Sequence, residues 1–196
     1  MKLQFKHQSF QRDAAQAVVE AFRGQPRQDA LTYRMDMGKG FLAIETQGFR
    51  NHYITLSDEA LTENIREIQK GQDLQPIDRL HRDANNTLAL SIEMETGTGK
   101  TYTYIKTMYE LYKHYGWTKF IIVVPSVAIR EGVIKSLETM ADHFAEEYGE
   151  RMQHFVYDSA RLTSIDQFAS DSKIHVMVIN TQAFNATGAD ARRITM

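Results

Sequence analysis

The alternation of apolar and polar positions in the first part of the chain predicts two helices on either side of a β-hairpin. Apolar residues recur every three or four positions over 9–22, and again after the helix-capping residue Ser57, as they do on one face of a helix. Between these helices, residues 31–35 and 41–46 have the composition of strands and flank a glycine-containing turn. The polar stretch 72–87 is predicted to be mainly loop.

Further along the chain, short apolar runs alternate with long helical patterns. Strands are predicted over 88–94, 119–124, 155–157 and 174–179, and helices over 100–115 and 127–144. Such alternation implies a mostly parallel sheet flanked by helices, because the crossover between two parallel strands lies over a face of the sheet. The predicted fold class is therefore α/β.

Composition excludes several kinds of function without identifying one. A chain of 196 residues has the length of one domain, and the absence of cysteine excludes disulfides, Cys-ligated zinc, iron–sulfur clusters and a thiol nucleophile. A net charge of −2 provides no overall field that would attract nucleic acid, so any DNA contact must come from a local site. The chain has no membrane-length apolar run and no secretory leader at its first residues, which predicts a cytoplasmic protein.

The clearest chemical signal is a glycine-rich segment between a predicted strand and a predicted helix. Its sequence is Thr96-Gly97-Thr98-Gly99-Lys100-Thr101. Glycines allow successive backbone N–H groups to point at one anion, and the N-terminus of the helix adds a positive dipole end. Lys100 would reach the β- and γ-phosphates of ATP, and the Thr101 hydroxyl would bind Mg²⁺. The general pattern has glycine where this chain has Met94, so a glycine-rich turn that binds nothing is the alternative.

Three segments together resemble a superfamily 2 helicase or translocase. They are Phe10-Gln11-Arg12-Asp13-Ala14, the phosphate loop from Met94 to Thr101, and the stretch 123–133 that matches motif Ia. More narrowly, the phosphate loop and the later stretch 178–185 resemble the start of the Res subunit of type III restriction–modification enzymes. The phosphate loop of that family has the same Met-Glu-Thr-Gly-Thr-Gly-Lys-Thr form, which accounts for Met94.

The resemblance implies a fold and a division of the chain. It implies that residues 1–196 are an incomplete first RecA-like domain, the helicase ATP-binding domain. Within it, 1–24 would be the Q-motif helix, 30–87 a hairpin-containing insert before the P-loop, and 88–196 the P-loop α/β core.

The resemblance also implies roles for individual residues in nucleotide binding. The predicted nucleotide-binding residues are Gln11, Thr96, Gly97, Thr98, Gly99, Lys100, Thr101 and Tyr102, of which Lys100 and Thr101 are also the predicted catalytic residues. Gln11 matches the glutamine that recognises the adenine edge, since an amide can donate and accept at once, and Gln8 is the alternative. Phe5 or Phe10 could pack against the base, although Phe10 is more simply predicted to be a core residue.

Motif Ia implies a second site, for nucleic acid. Pro125, Ser126 and Arg130 match residues that contact the DNA backbone in the family, and a helix N-terminus is suited to hold a phosphate. The alternative is that Ser126 caps a helix and Arg130 is solvated. The stretch 180–182 after the next strand has the same two interpretations.

The resemblance implies a larger enzyme than this chain. P-loop motors need an apolar strand that ends in Asp-Glu, and no predicted strand here does so. We therefore expect this chain to hold ATP and Mg²⁺ but to hydrolyse ATP slowly. Its family partners would be DNA, a modification methyltransferase subunit, and a second RecA-like domain and a nuclease domain in the same polypeptide. The alternatives are another superfamily 2 DNA or RNA helicase, or a stand-alone nucleotide-binding module without catalysis.

Overall fold

The computed structural model describes residues 5–6, 8–34, 47–158 and 162–184. These residues divide into two compact units. The first, which we call the helical unit, comprises Gln4–Arg27 and Tyr53–Tyr115. The second, the sheet unit, takes its described residues from Gln28–His52 and Gly116–Met196. Within the described ranges, no helix is long and apolar enough to cross a bilayer.

The helical unit is built from three helices that agree with the predicted ones. They are α1 (Ser9–Ala21), α2 (Asp58–Gly71) and α3 (Lys100–Tyr115). The side chains of Ala15 and Val19 on α1 are buried, as are those of Ile105 and Tyr109 on α3. At the end of α3, the Tyr115 hydroxyl donates a hydrogen bond of 2.7 Å to the Val19 carbonyl, so α1 is held against α3 by both apolar and polar contacts.

Two buried amide side chains satisfy backbone groups where α1 ends. Asn64 of α2 donates hydrogen bonds to the carbonyls of Ala21 and Arg23, at 3.3 and 2.9 Å. Gln25 donates to the Tyr53 carbonyl at 3.0 Å and accepts from the Thr55 N–H at 2.8 Å. The last carbonyls of a helix have no partner within the helix, so Asn64 compensates for burial at the end of α1, while Gln25 does the same for the backbone between Tyr53 and Thr55.

The prediction of a buried strand over 88–94 is wrong. This segment has no regular secondary structure; only Leu88 forms a single bridge, with Arg82, and Leu90 and Ile92 are 42% and 50% exposed. An apolar run becomes a strand only when another strand supplies hydrogen bonds along it, and no described strand pairs with this run. The preceding stretch 72–87 is mainly irregular, as predicted.

The sheet unit contains an antiparallel pair of strands where a hairpin was predicted. Strand β1 (Leu31–Arg34) pairs with β2 (Gln47–Arg50), with Leu31 opposite Arg50. Pairing therefore involves residues 47–50, whereas the predicted second strand at 41–46 and the glycine turn lie outside the described residues.

The core of the sheet unit is a parallel three-stranded sheet. Its strands are β3 (Lys119–Val124), β4 (Gln153–Val156) and β5 (His175–Asn180), in the spatial order β3–β5–β4. Its helices are α4 (Val127–Tyr148), α5 (Leu162–Ser170) and α6 (Thr181–Phe184). Val176 and Val178 of the central strand have no exposed surface. The predicted α/β class with a parallel sheet flanked by helices is confirmed.

The helices differ from the predicted ones at three points. Helix α4 continues one turn past residue 144 and ends where Gly149 adopts a left-handed conformation with φ 74°. Helices α5 and α6 are additional to the predicted elements. They are only nine and four residues long, too short for a clear helical repeat in the sequence.

Two neighbouring residues of β4 show that helices cover both faces of this sheet. Phe155 packs edge-on against Phe168 of α5, with ring centroids 5.7 Å apart. Burial lowers the pKa of the preceding residue, His154, and the nearby Glu138 carboxylate of α4 opposes that shift in part. Since neighbouring residues of a strand point to opposite faces, α4 and α5 lie on opposite sides.

The first residue of β3, Lys119, is anchored at the amino end of the sheet. Its ammonium group donates to the carbonyls of Asp171 and Lys173 and lies 5.3 Å from the centre of the Phe168 ring. Burial lowers the pKa of Lys119 to about 8, and the nearby Asp171 carboxylate opposes this shift only in part. The same carboxylate lies 2.9 Å from Nε2 of His175.

The lowered pKa of Lys119 predicts a specific pH dependence of stability. Between pH 8 and the ordinary lysine pKa of about 10.4, the unfolded chain binds more protons at this position than the folded chain does. The contribution of Lys119 to the free energy of unfolding therefore rises with pH over this interval. Urea denaturation from pH 7.5 to 9.5 should show a smaller rise for Lys119→Met than for the unmodified chain. Lys135→Met, which removes an exposed lysine of α4, should keep the full rise; equal curves for both variants would contradict the assignment.

Candidate nucleotide-binding site

The glycine-rich loop leads directly into helix α3, as the sequence predicts. The helix begins at Lys100, and the Thr103 N–H bonds to the Gly99 carbonyl at 3.0 Å in its first turn. Gly97 and Gly99 have φ values of +82° and +86°, a region that residues with a Cβ atom seldom adopt. The N-terminus of α3, with its positive dipole end, thus follows directly on a loop whose backbone conformation only glycine readily adopts.

Two polar side chains of the loop converge on one backbone carbonyl. The Glu95 carbonyl accepts a hydrogen bond of 2.7 Å from the Thr98 hydroxyl and one of 2.8 Å from the Lys100 ammonium. Both side chains are therefore held within the loop. The Lys100 side chain is exposed, so its ammonium can exchange the carbonyl for a phosphate oxygen, which is a stronger, charge-assisted partner.

The two loop glycines have different surroundings. A Cβ atom built on Gly97 would meet nothing within 4 Å, whereas one built on Gly99 would collide with the side-chain nitrogen of Gln11. Lys100 and Thr101 follow these glycines at the start of α3, where the sequence predicts contacts with the triphosphate and Mg²⁺ of ATP. In the described part of the chain, no cluster of three or more His, Asp or Glu residues could hold a metal ion alone. The Thr101 assignment to Mg²⁺ stays a prediction that depends on phosphate oxygens as further ligands.

Gln11 of α1 lies against the phosphate loop. Its Nε2 donates a hydrogen bond of 2.9 Å to the Thr98 carbonyl, across 87 positions of sequence. The structure thus brings Gln11 to the predicted loop, while its predicted role in adenine recognition stays a prediction. The alternative residue, Gln8, is the N-cap of α1 and makes no capping hydrogen bond with its side chain. No sequence pattern indicated the contact with Thr98, since it depends on how α1 packs.

The aromatic residues predicted near the loop differ in their burial and contacts. The rings of Phe5 and Tyr102 lie 6.1 Å apart at an interplanar angle of 31°, and Tyr102 is buried. The prediction that Phe10 belongs to the core is wrong, because its side chain is 46% exposed. Phe10 lies nine residues, or two and a half helical turns, before the buried Val19 and therefore faces the opposite side of α1.

The predicted nucleic-acid residues lie in the sheet unit, at the carboxyl end of the parallel sheet. Ser126 follows β3 and caps α4, where its hydroxyl accepts a hydrogen bond of 3.3 Å from the Ile129 N–H. Arg130 contacts the neighbouring Glu131 through Nε and Nη2, at 3.2 and 3.0 Å. The capping role proposed as the alternative for Ser126 is thus observed. Contact of Pro125, Ser126 and Arg130 with DNA stays a prediction.

Strand register brings a second predicted segment to the same edge. Val124 at the end of β3 is paired with Asn180 at the end of β5. Thr181 and Gln182, which follow Asn180, are exposed, and the Asn180 side chain donates to the Gln182 side chain at 3.2 Å. Segments that are more than fifty residues apart in sequence therefore present polar side chains at one edge, as expected for parallel strands.

Comparison with known proteins identifies similar sequences. The family model described as "Type III restriction enzyme, res subunit" matches residues 4–193. The chain is 33% identical over 153 residues to the Res subunit of the EcoP15I enzyme of Escherichia coli, an alignment that covers 69% of this chain and 16% of the relative. It is 32% identical over 148 residues to the EcoPI Res subunit of Escherichia phage P1, covering 67% and 15%. The StyLTI Res subunit of Salmonella typhimurium is 37% identical over 115 residues, covering 50% and 12%. The chain thus spans only about 12–16% of the length of these relatives.

The two loop glycines predict unequal effects of the same substitution. Alanine at either position must adopt a left-handed φ, at a cost of about 1–2 kcal/mol, but only at Gly99 would the added methyl group also displace the Gln11 amide from its hydrogen bond with the Thr98 carbonyl. Gly99→Ala should therefore lower the free energy of unfolding more than Gly97→Ala does, as measured by urea denaturation. Equal losses would show that the Gln11 amide is not packed against Gly99 in solution.

Proposed function

The chain belongs to the family of type III restriction enzyme Res subunits, and from this we propose that it forms the ATP-binding part of an ATP-dependent DNA translocase serving a restriction endonuclease. The single observation that carries the proposal is the phosphate loop, in which two glycines with positive φ precede Lys100 at the start of α3. We place the activity in the cytoplasm, where ATP and DNA are both available.

Different groups of the loop would bind different parts of Mg²⁺–ATP. Backbone N–H groups around Gly97 and Gly99, with the N-terminus of α3, would hold the phosphates. Lys100 would leave the Glu95 carbonyl and bind the β- and γ-phosphates, and Thr101 would contribute its hydroxyl to Mg²⁺. When bound, Mg²⁺ would neutralise part of the negative charge of the phosphates. Gln11, which is already beside the loop, would recognise the adenine edge.

DNA and the further partners are proposed for the full-length enzyme. The carboxyl edge of the parallel sheet, with Pro125, Ser126 and Arg130, would contact the phosphate backbone of DNA. Contacts of this kind fix a protein on the strand without recognising its sequence, which suits a translocase. The relatives are named as Res subunits of restriction–modification enzymes, so a modification methyltransferase subunit is the proposed partner. A second RecA-like domain and a nuclease domain would belong to the same polypeptide.

Removal of the Lys100 ammonium tests nucleotide binding. Lys100→Ala should weaken binding of a fluorescent ATP analogue, in the presence of Mg²⁺, by roughly 10- to 100-fold, because a hydrogen bond to a charged group contributes about 1.5–3 kcal/mol. Lys113→Ala is the matched control, since it removes an exposed lysine from the last turn of the same helix and should leave the affinity unchanged. Unchanged affinity in Lys100→Ala would refute the proposal.

The chain by itself is expected to hydrolyse ATP slowly. Strand β4 is followed by Tyr157-Asp158 and β5 by Thr181, so neither ends in the Asp-Glu pair that polarises water in P-loop motors. An arginine finger from a second domain contributes 10³–10⁵ in rate in such enzymes. Phosphate release should therefore stay near background with or without DNA. Steady DNA-stimulated release that Lys100→Ala abolishes would contradict this expectation.

A further inference from the structure

The Gln11 amide is in contact with the backbone of the phosphate loop, which adenine recognition alone does not require. The Gln11 amide touches the loop at two neighbouring points: Nε2 donates to the Thr98 carbonyl at 2.9 Å, and the same nitrogen occupies the space that a Cβ atom on Gly99 would need. The Thr98 carbonyl and the Gly99 Cα atom, to which that Cβ would be attached, belong to one peptide unit, the one that joins Thr98 to Gly99. The Gln11 amide therefore lies against the backbone of the loop at this peptide unit.

The geometry of a peptide unit relates this contact to phosphate binding. The Thr98–Gly99 bond is trans, so the carbonyl of Thr98 and the N–H of Gly99 lie in one plane and point in opposite directions. Since the carbonyl points towards Gln11, the Gly99 N–H points away from it. Positive φ values at Gly97 and Gly99 leave the loop open to other peptide orientations, because glycine populates both signs of φ about equally. The hydrogen bond from Gln11 selects one of these orientations.

Gln11 is held in place by the packing of the helix that carries it. The neighbouring side chains of Ala15 and Val19 are buried, and the Val19 carbonyl accepts a hydrogen bond of 2.7 Å from Tyr115 at the far end of α3. A side chain on such a packed helix can orient a glycine-rich loop, since it loses little further freedom by doing so.

We propose that Gln11 is a positioning residue for the phosphate loop: by holding the Thr98 carbonyl, it turns the Gly99 N–H towards the side on which the triphosphate binds. Gln11 then contributes to binding of the phosphates themselves, and not only of the base. The hydrogen bond uses one N–H of the amide, and the Oε1 atom and the second N–H stay available to a base edge. This inference rests on the proposed function where it concerns phosphate, but not where it concerns the orientation of the loop.

The first test needs no nucleotide. Gln11→Met keeps the length and neutrality of the side chain but cannot donate to the Thr98 carbonyl. Gln16→Met is the matched control, because Gln16 is on the same helix and its exposed amide bonds only locally, to Glu20 at 2.8 Å. In ¹H–¹⁵N spectra of the full chain, Gln11→Met should shift the backbone amides from Gly97 to Lys100, and Gln16→Met should leave them in place. Unshifted loop amides in Gln11→Met would overturn the proposal.

The second test separates the phosphates from the base. Tripolyphosphate with Mg²⁺ has no adenine, and its affinity can be measured by displacement of a fluorescent ATP analogue. Gln11→Met should weaken tripolyphosphate binding by about 2- to 10-fold, the value of one neutral hydrogen bond, whereas Gln16→Met should not change it. A variant that loses affinity for ATP but keeps full affinity for tripolyphosphate would overturn the proposal, because Gln11 would then act on the base alone.

The outcomes of these tests distinguish this inference from the proposed function. If Lys100→Ala leaves ATP and tripolyphosphate affinities unchanged, the phosphate loop is not the binding site and the proposed function fails. The spectra of Gln11→Met still decide whether Gln11 orients the loop in that case. Thermal unfolding of Gln11→Met and Gln16→Met, followed by circular dichroism, should give midpoints close to each other; loss of α1 in Gln11→Met alone would overturn a positioning role in favour of a structural one.

Discussion

The phosphate loop depends on the direction of its own peptide groups. An anion can be held by backbone N–H groups only if several of them point to one place, which requires backbone conformations that glycine adopts freely, and Gly97 and Gly99 have such left-handed conformations. The same freedom makes such a loop mobile unless something holds it. Here two carbonyls of the loop have defined partners: the Glu95 carbonyl accepts from the side chains of Thr98 and Lys100, and the Thr98 carbonyl accepts from Gln11. Each of these bonds restricts a peptide unit of a flexible segment.

The helical unit supplies the rigid surroundings that this loop requires. Helix α1 is fixed at its C-terminal end, where Asn64 donates to the carbonyls of Ala21 and of Arg23 just beyond the helix, and Tyr115 donates to the Val19 carbonyl. Its first turns are thereby placed beside the loop, and Gln11 is presented at the correct distance. Buried amides far from the loop thus belong to the same arrangement as the loop itself, because a misplaced α1 would leave the Thr98 carbonyl without its donor.

The sheet unit follows a different constraint, the alignment of parallel strands. The pairing of Val124 with Asn180 brings the ends of β3 and β5 to one edge, where Ser126 starts α4 and Thr181 starts α6. Polar residues at the carboxyl edge of a parallel sheet are a common setting for ligand contacts. At the opposite end of the strands, the Lys119 ammonium donates hydrogen bonds to the carbonyls of Asp171 and Lys173. These bonds hold the start of β3 against the residues that follow α5. The amino end of the sheet is thus stabilised by the hydrogen bonds of Lys119, while the carboxyl end presents exposed polar side chains such as Thr181 and Gln182.

Local sequence by itself determined the four long helices α1 to α4, the apolar strands of the parallel sheet, the position of the phosphate loop and the family. Helical spacing over 100–115 and the glycines before Lys100 are encoded within a few neighbouring residues, so they can be recognised without knowledge of the rest of the chain. Only tertiary structure decided the state of 88–94, the exposure of Phe10 and the contact of Gln11 with Thr98. An apolar run is a strand only if a partner strand lies beside it, and a residue at the start of a helix is buried only on the face that packs. Those conditions depend on segments tens of residues away, which no local pattern contains.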